Sequence, residues 1–102
     1  MNATGRPGSG DAEGLESLRA TIDAADAALV RLLGERMRAA LGTRRFKAGV
    51  ADPGRESRVL ARVRALAEAE GLSPGFAESL WMAIMAESRR MQEAARDGGG
   101  PG

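Results

Sequence analysis

A chain of 102 residues has room for one compact domain, and this one contains neither cysteine nor histidine. Disulfides, thiolate or imidazole zinc sites, and Ser-His, Cys-His or histidine acid–base catalysis are therefore excluded. A formal net charge of +1 does not favour broad nucleic-acid binding despite the many arginines, and no apolar run approaches the length of a membrane span. The stretch MNATGRPGSGDAEG lacks the apolar core of an export signal, so a cytoplasmic protein is expected.

Residues 1–10 and 97–102 are rich in Gly, Pro and small polar residues and read as flexible tails around a domain at 11–96. Within it the periodicity predicts three helices and no strand. The first runs from about Asp11 to Ala48, with Leu15, Leu18, Ile22, Ala25, Leu29, Leu32 and Leu33 at helical spacing. Gly34 and Gly42 each weaken it by about 1 kcal/mol relative to alanine, but no proline interrupts it. Asp52-Pro53 is the expected cap of a second helix, about 53–70, which carries Val59, Leu60, Val63, Leu66 and Ala67 and stops at Gly71. Ser73-Pro74 repeats the signal for a third, about 74–96, with Phe76, Leu80, Trp81, Ile84, Met85 and Met91.

A first helix of about 36 residues would be about 54 Å long. The two shorter helices, antiparallel to each other, cover about half of it. A second copy of the chain is the natural cover for the rest of the apolar stripe. The expected architecture is all-α: three helices per chain, the first long, in an intertwined homodimeric helical bundle.

The informative residues are the polar ones on apolar faces. At ~100° per residue, Arg36, Thr43 and Lys47 fall within the stripe of Leu29, Leu32 and Leu33, and Arg19 flanks it. Glu56 sits among Val59, Leu60 and Val63, with Arg55 at the edge, while Ser88 and Gln92 share the side of Leu80, Trp81, Ile84 and Met85. The remaining arginines, Arg31, Arg38, Arg44, Arg58, Arg62, Arg64, Arg89 and Arg90, read as solvated or snorkelling side chains. Buried charge is costly unless it meets an opposite charge or a ligand. Glu56 alone does not neutralise Arg19, Arg36, Lys47 and Arg55, so the fitting occupant is a small anion with more than one carboxylate. Lys47 is the only lysine, a compact point charge in a chain that otherwise uses the arginine fork.

Five motifs fall in order along the chain: LRATID with Arg19, LLGER with Arg36, Lys47 beyond it, DPGRE with Asp52, Arg55 and Glu56, and ESRRMQ with Ser88 and Gln92. Together, over about residues 15–92, they resemble the all-helical (AroQ-class) chorismate mutases. The connection from Lys47 to Asp52 is shorter than in the best-known bacterial members. The string RRFKAGVADP is also similar to the related isochorismate–pyruvate lyases, which carry Arg-Phe-Lys and a short loop there. Glu56 and the Ser88…Gln92 ending favour the ordinary mutase. The lyases, and the mutases acting on aminodeoxychorismate, typically lack that glutamate.

The resemblance implies an isomerase without metal or cofactor, which performs the Claisen rearrangement of chorismate to prephenate in the phenylalanine and tyrosine branch of the shikimate pathway. It implies that Arg19, Arg36 and Arg55 bind the substrate carboxylates and that Lys47 and Gln92 hydrogen-bond the ether oxygen. Glu56, helped by groups near Asp52, would accept the ring hydroxyl, and Ser88 would assist positioning. Geometry adds that Arg19 and Arg36 lie about 26 Å apart along one helix, too far to grip one small molecule from the same subunit. In an antiparallel dimer, Arg19 of one chain reaches the site holding Arg36 of the other. The alternatives are an isochorismate–pyruvate lyase, an aminodeoxychorismate mutase, or a weakly active regulatory module docking on the enzyme that opens the shikimate pathway.

Overall fold

The structure, a computed structural model, describes residues 9–46 and 52–98. Helix α1 spans Ser9–Gly42 and is followed by a 3-10 turn at Thr43–Arg45; α2 spans Arg55–Ala69 and α3 spans Pro74–Gly98. No strand occurs among the described residues, and the fold is all-α as expected. At 34 residues α1 is about 51 Å long and absorbs Gly34 without a break.

Helix boundaries depart from expectation at both ends of α1. The helix starts at Ser9, inside the expected tail, and ends at Gly42 rather than Ala48. The sequence there turns to Gly42 and the β-branched Thr43, both weak helix formers. The Thr43 hydroxyl donates to the Ala40 carbonyl at 2.7 Å, a local bond that competes with the helical ladder. Phe46 is already extended, at φ −112° and ψ 136°. The α-helical register that put Thr43 on the stripe of Leu29 therefore stops short of it. Lys47 and the expected helix end at Ala48 lie outside the described residues.

The expected Asp52 cap of α2 is not formed. Asp52 turns its carboxylate to Arg58 at 2.9 Å and its carbonyl to the Arg55 N–H at 3.1 Å, so the helix begins at Arg55. Gly54 supplies the turn at φ +86°, where a Cβ would come within 3.3 Å of the Arg58 guanidinium. The stop at Gly71 holds. At φ +77° it lets its own N–H reach the Glu68 carbonyl at 3.1 Å while the Leu72 N–H reaches Ala67 at 2.8 Å, the paired bonds of a left-handed helix end. Ser73 caps α3 as expected, its hydroxyl oxygen accepting the Phe76 N–H at 3.2 Å.

The chain divides into two compact units, one ending at Arg36 and one beginning at Met37. In the second unit α2 packs antiparallel on α3. Val63, Ala67 and Ala77 are buried where the helices meet, with Val59 and Trp81 against them, and the small alanines let the backbones approach. Ile84 and Met85 continue the buried face toward the C-terminal half of α3. Arg64 and Glu78 bridge the two helices outside this core. Leu66, Phe76 and Leu80, expected on apolar faces, are exposed in the single chain. In the first unit, Leu15, Leu18, Ile22, Leu29, Val30, Leu32 and Leu33 are 36–69% exposed. Among the described residues no helix is long and apolar enough to cross a membrane.

Candidate active site

The buried face of α3 changes character near its end. Trp81, Ile84 and Met85 are apolar; Ser88 and Gln92, on the following turns of the same stripe, are polar. Ser88 is buried and its hydroxyl donates to the Met37 sulfur at 3.1 Å. Half-buried Gln92 donates from Nε2 to the Ala40 carbonyl at 2.9 Å. Carbonyls in the last turn of a helix lack onward helical partners, and Ala40 accepts from both Thr43 and Gln92. The polar end of α3 is thereby fixed to the Met37–Gly42 end of α1.

Glu56 stands in the first turn of α2 and forms an ion pair with Arg89, which follows Ser88 on α3. This corrects the expectation for Glu56: its carboxylate is half-exposed at the edge of the hairpin rather than set among Val59, Leu60 and Val63. Arg89 is solvent-exposed as expected, and it carries this pair besides. The two residues are 33 positions apart, beyond any helical-spacing rule, yet they lie equally far from the turn at Leu72-Ser73. The antiparallel packing of α2 on α3 that brings Arg64 to Glu78 nearer the turn brings Glu56 to Arg89 farther from it, and the distance of each residue from the turn is the sequence signal connecting them.

Other charges nearby are paired locally. Arg90 grips both carboxylate oxygens of Glu87, at 2.9 and 2.6 Å; these hydrogen bonds hold Glu87 below the usual carboxylate range and raise Arg90 above its ordinary value. Asp52 is held by Arg58 in the turn that precedes α2, and Arg55 is the exposed first residue of that helix. Glu56, Ser88 and Gln92 thus lie at the same end of the α2–α3 hairpin, Glu56 at its exposed edge and the other two bonded to α1, with Asp52 and Arg55 at the entry to α2. Arg19 and Arg36 belong to the first unit, Arg19 exposed and Arg36 half-buried on α1, and Lys47 lies outside the described residues. Among the described residues no carboxylates cluster closely enough to hold a metal ion.

The model of the chorismate mutase type II family matches residues 18–93. No curated protein and no solved structure matches the chain. The matched span begins one residue before Arg19, ends one residue after Gln92, and takes in well over half of the sequence. A match that runs through all three helices and includes every candidate position establishes that the chain belongs to the chorismate mutase type II family.

Proposed function

We propose that the chain is a chorismate mutase in the strict sense, converting chorismate to prephenate as a homodimer whose active sites are shared between subunits. The observation that supports this reading is that the family-matched span holds Glu56, Ser88 and Gln92, with Glu56 paired to the residue after Ser88 at the same end of the α2–α3 hairpin. The rearrangement breaks the ether C–O bond and forms a C–C bond within one molecule. No atom enters or leaves, so the protein need only hold the dicarboxylate in its compact conformer and stabilise negative charge developing on the ether oxygen. A carboxamide nitrogen has two N–H donors. Gln92 can keep one on Ala40 and offer the second to that oxygen, together with Lys47. Arg19, Arg36 and Arg55 take the carboxylates, Glu56 accepts the ring hydroxyl near Asp52, and Ser88 assists positioning. Glu56 also favours this reaction over pyruvate elimination from isochorismate.

The exposed apolar residues of α1 support the dimer. Leucines, an isoleucine and a valine recur along its first unit at 36–69% exposure, the kind of apolar surface that marks an interaction site. A second copy packed alongside covers it. Arg19 of one subunit then serves the site that holds Arg36 of the other, which a single helix cannot arrange across about 26 Å.

The test is product identification. Purified protein is incubated with chorismate and, separately, with isochorismate. Prephenate from chorismate is expected. Folded protein that forms none, or that releases pyruvate from isochorismate faster than it makes prephenate, would overturn the proposal.

A further inference from the structure

We propose that Arg89 is a positioning residue for this site, anchoring one oxygen of the Glu56 carboxylate and leaving the other to receive the substrate's ring hydroxyl. The inference rests on the mutase reading above. Glu56 occupies the first turn of α2, immediately after a glycine turn, and its long side chain has three rotatable bonds with which to leave any one position. The ion pair to Arg89 Nη1 engages Oε2, a one-point contact that leaves Oε1 as acceptor for a hydroxyl. Arg89 is itself well placed to hold it. Ser88, the preceding residue, is buried and bonded to the Met37 sulfur, which fixes this turn of α3. Arg90 is occupied by both oxygens of Glu87 and Arg58 by Asp52, so the neighbouring arginines have carboxylates of their own. The pair also ties the start of α2 to the segment that presents Ser88 and Gln92, so three of the proposed contacts are held in one register.

A half-exposed ion pair contributes little to stability, so its loss should register in kinetics and not in folding. The ring hydroxyl is bound before and during the rearrangement alike. Loss of its acceptor's position should therefore appear mainly in KM, unlike loss of a group acting on the ether oxygen. The experiment is a double-mutant cycle on the full chain, with kcat and KM measured on chorismate for Arg89→Ala, Arg89→Lys, Glu56→Ala and the Arg89→Ala/Glu56→Ala double variant, with circular dichroism on each. Arg89→Gln replaces Arg89→Ala if the latter does not fold. Arg89→Ala should lower kcat/KM by about tenfold, mostly through KM, and Arg89→Lys should recover most of the loss. In the Glu56→Ala background, removing Arg89 should change kcat/KM by less than about twofold. Undiminished activity of Arg89→Ala would overturn the proposal. Additive losses would overturn it differently, showing that Arg89 acts on the substrate and not through Glu56. Parent protein that forms no prephenate would remove the mutase reading, and this inference with it.

Discussion

Gln92 and Ala40 are joined by a 2.9 Å hydrogen bond from the side-chain amide to the main-chain carbonyl, which fixes the end of α3 to the end of α1. An amide has no proton to lose in the physiological range, and neither does an ordinary lysine ammonium. Turnover of chorismate is accordingly expected to be nearly flat between about pH 5 and 8. Gln92→Glu should behave otherwise. Its neutral acid can donate a proton to the ether oxygen, whereas its carboxylate only accepts and repels the charge that develops there. Activity of the variant should therefore be highest at low pH and fall as pH rises through its titration. A pH profile of kcat for both proteins, with folding followed in parallel, checks this; a flat profile for the variant would remove Gln92 from the ether oxygen.

Lys47 carries a second expectation, drawn from its place in the family pattern. A charged donor that acts mainly on the transition state lowers kcat far more than affinity when removed. Lys47→Ala should lose at least ~100–1000-fold in turnover. Lys47→Arg should restore little, because the planar fork cannot put its charge at the same point. Steady-state kinetics decide the matter: activity within tenfold of the parent means that the ammonium is merely solvated.

Sharing of sites between subunits is tested by complementation. Arg19→Ala and Lys47→Ala proteins are each expected to be inactive alone. Mixed under conditions that allow subunit exchange, they form heterodimers in which one site has both lesions and the other has neither. Partial return of activity is expected. With exchange verified by mass, no return would show that Arg19 serves the site of its own subunit.

The hairpin turn offers a stability measurement independent of activity. Gly71 sits at φ +77° with open space where a Cβ would go, so an alanine there meets backbone strain and no side-chain clash. Gly71→Ala should destabilise the protein by about 1–2 kcal/mol, and Gly71→Asn by less, since asparagine tolerates the left-handed region better. Urea unfolding of the three proteins at one concentration checks the order.

Much of this was legible in the sequence because helices announce themselves locally. The stripe of α1, the cap at Ser73 and the stop at Gly71 all depend on residues a few positions apart. The misreadings share a physical cause as well. At Asp52 a good capping residue found a stronger partner in Arg58, and after Gly42 the helix gave way to a 3-10 turn where hydrophobic spacing alone would have carried it on. The polar positions Ser88 and Gln92 could be picked out because they break an apolar period. What they bond to could not, since Met37 and Ala40 lie more than fifty residues away. Arg89 was hidden for the same reason: its meaning comes from the register of two helices, and no window along one helix contains it.

In the proposed dimer, the exposed apolar edge of α1 would also tie folding to protein concentration. Buried apolar residues among those described are few, and none is sealed completely from solvent. With a partner seated on α1 the missing burial is supplied by a bimolecular step, so mass action enters the folding equilibrium itself. Dilution then acts as a denaturant: the unfolding midpoint should climb with protein concentration, and an enzyme stable at micromolar levels can lose structure and activity together at the nanomolar levels used in rate assays.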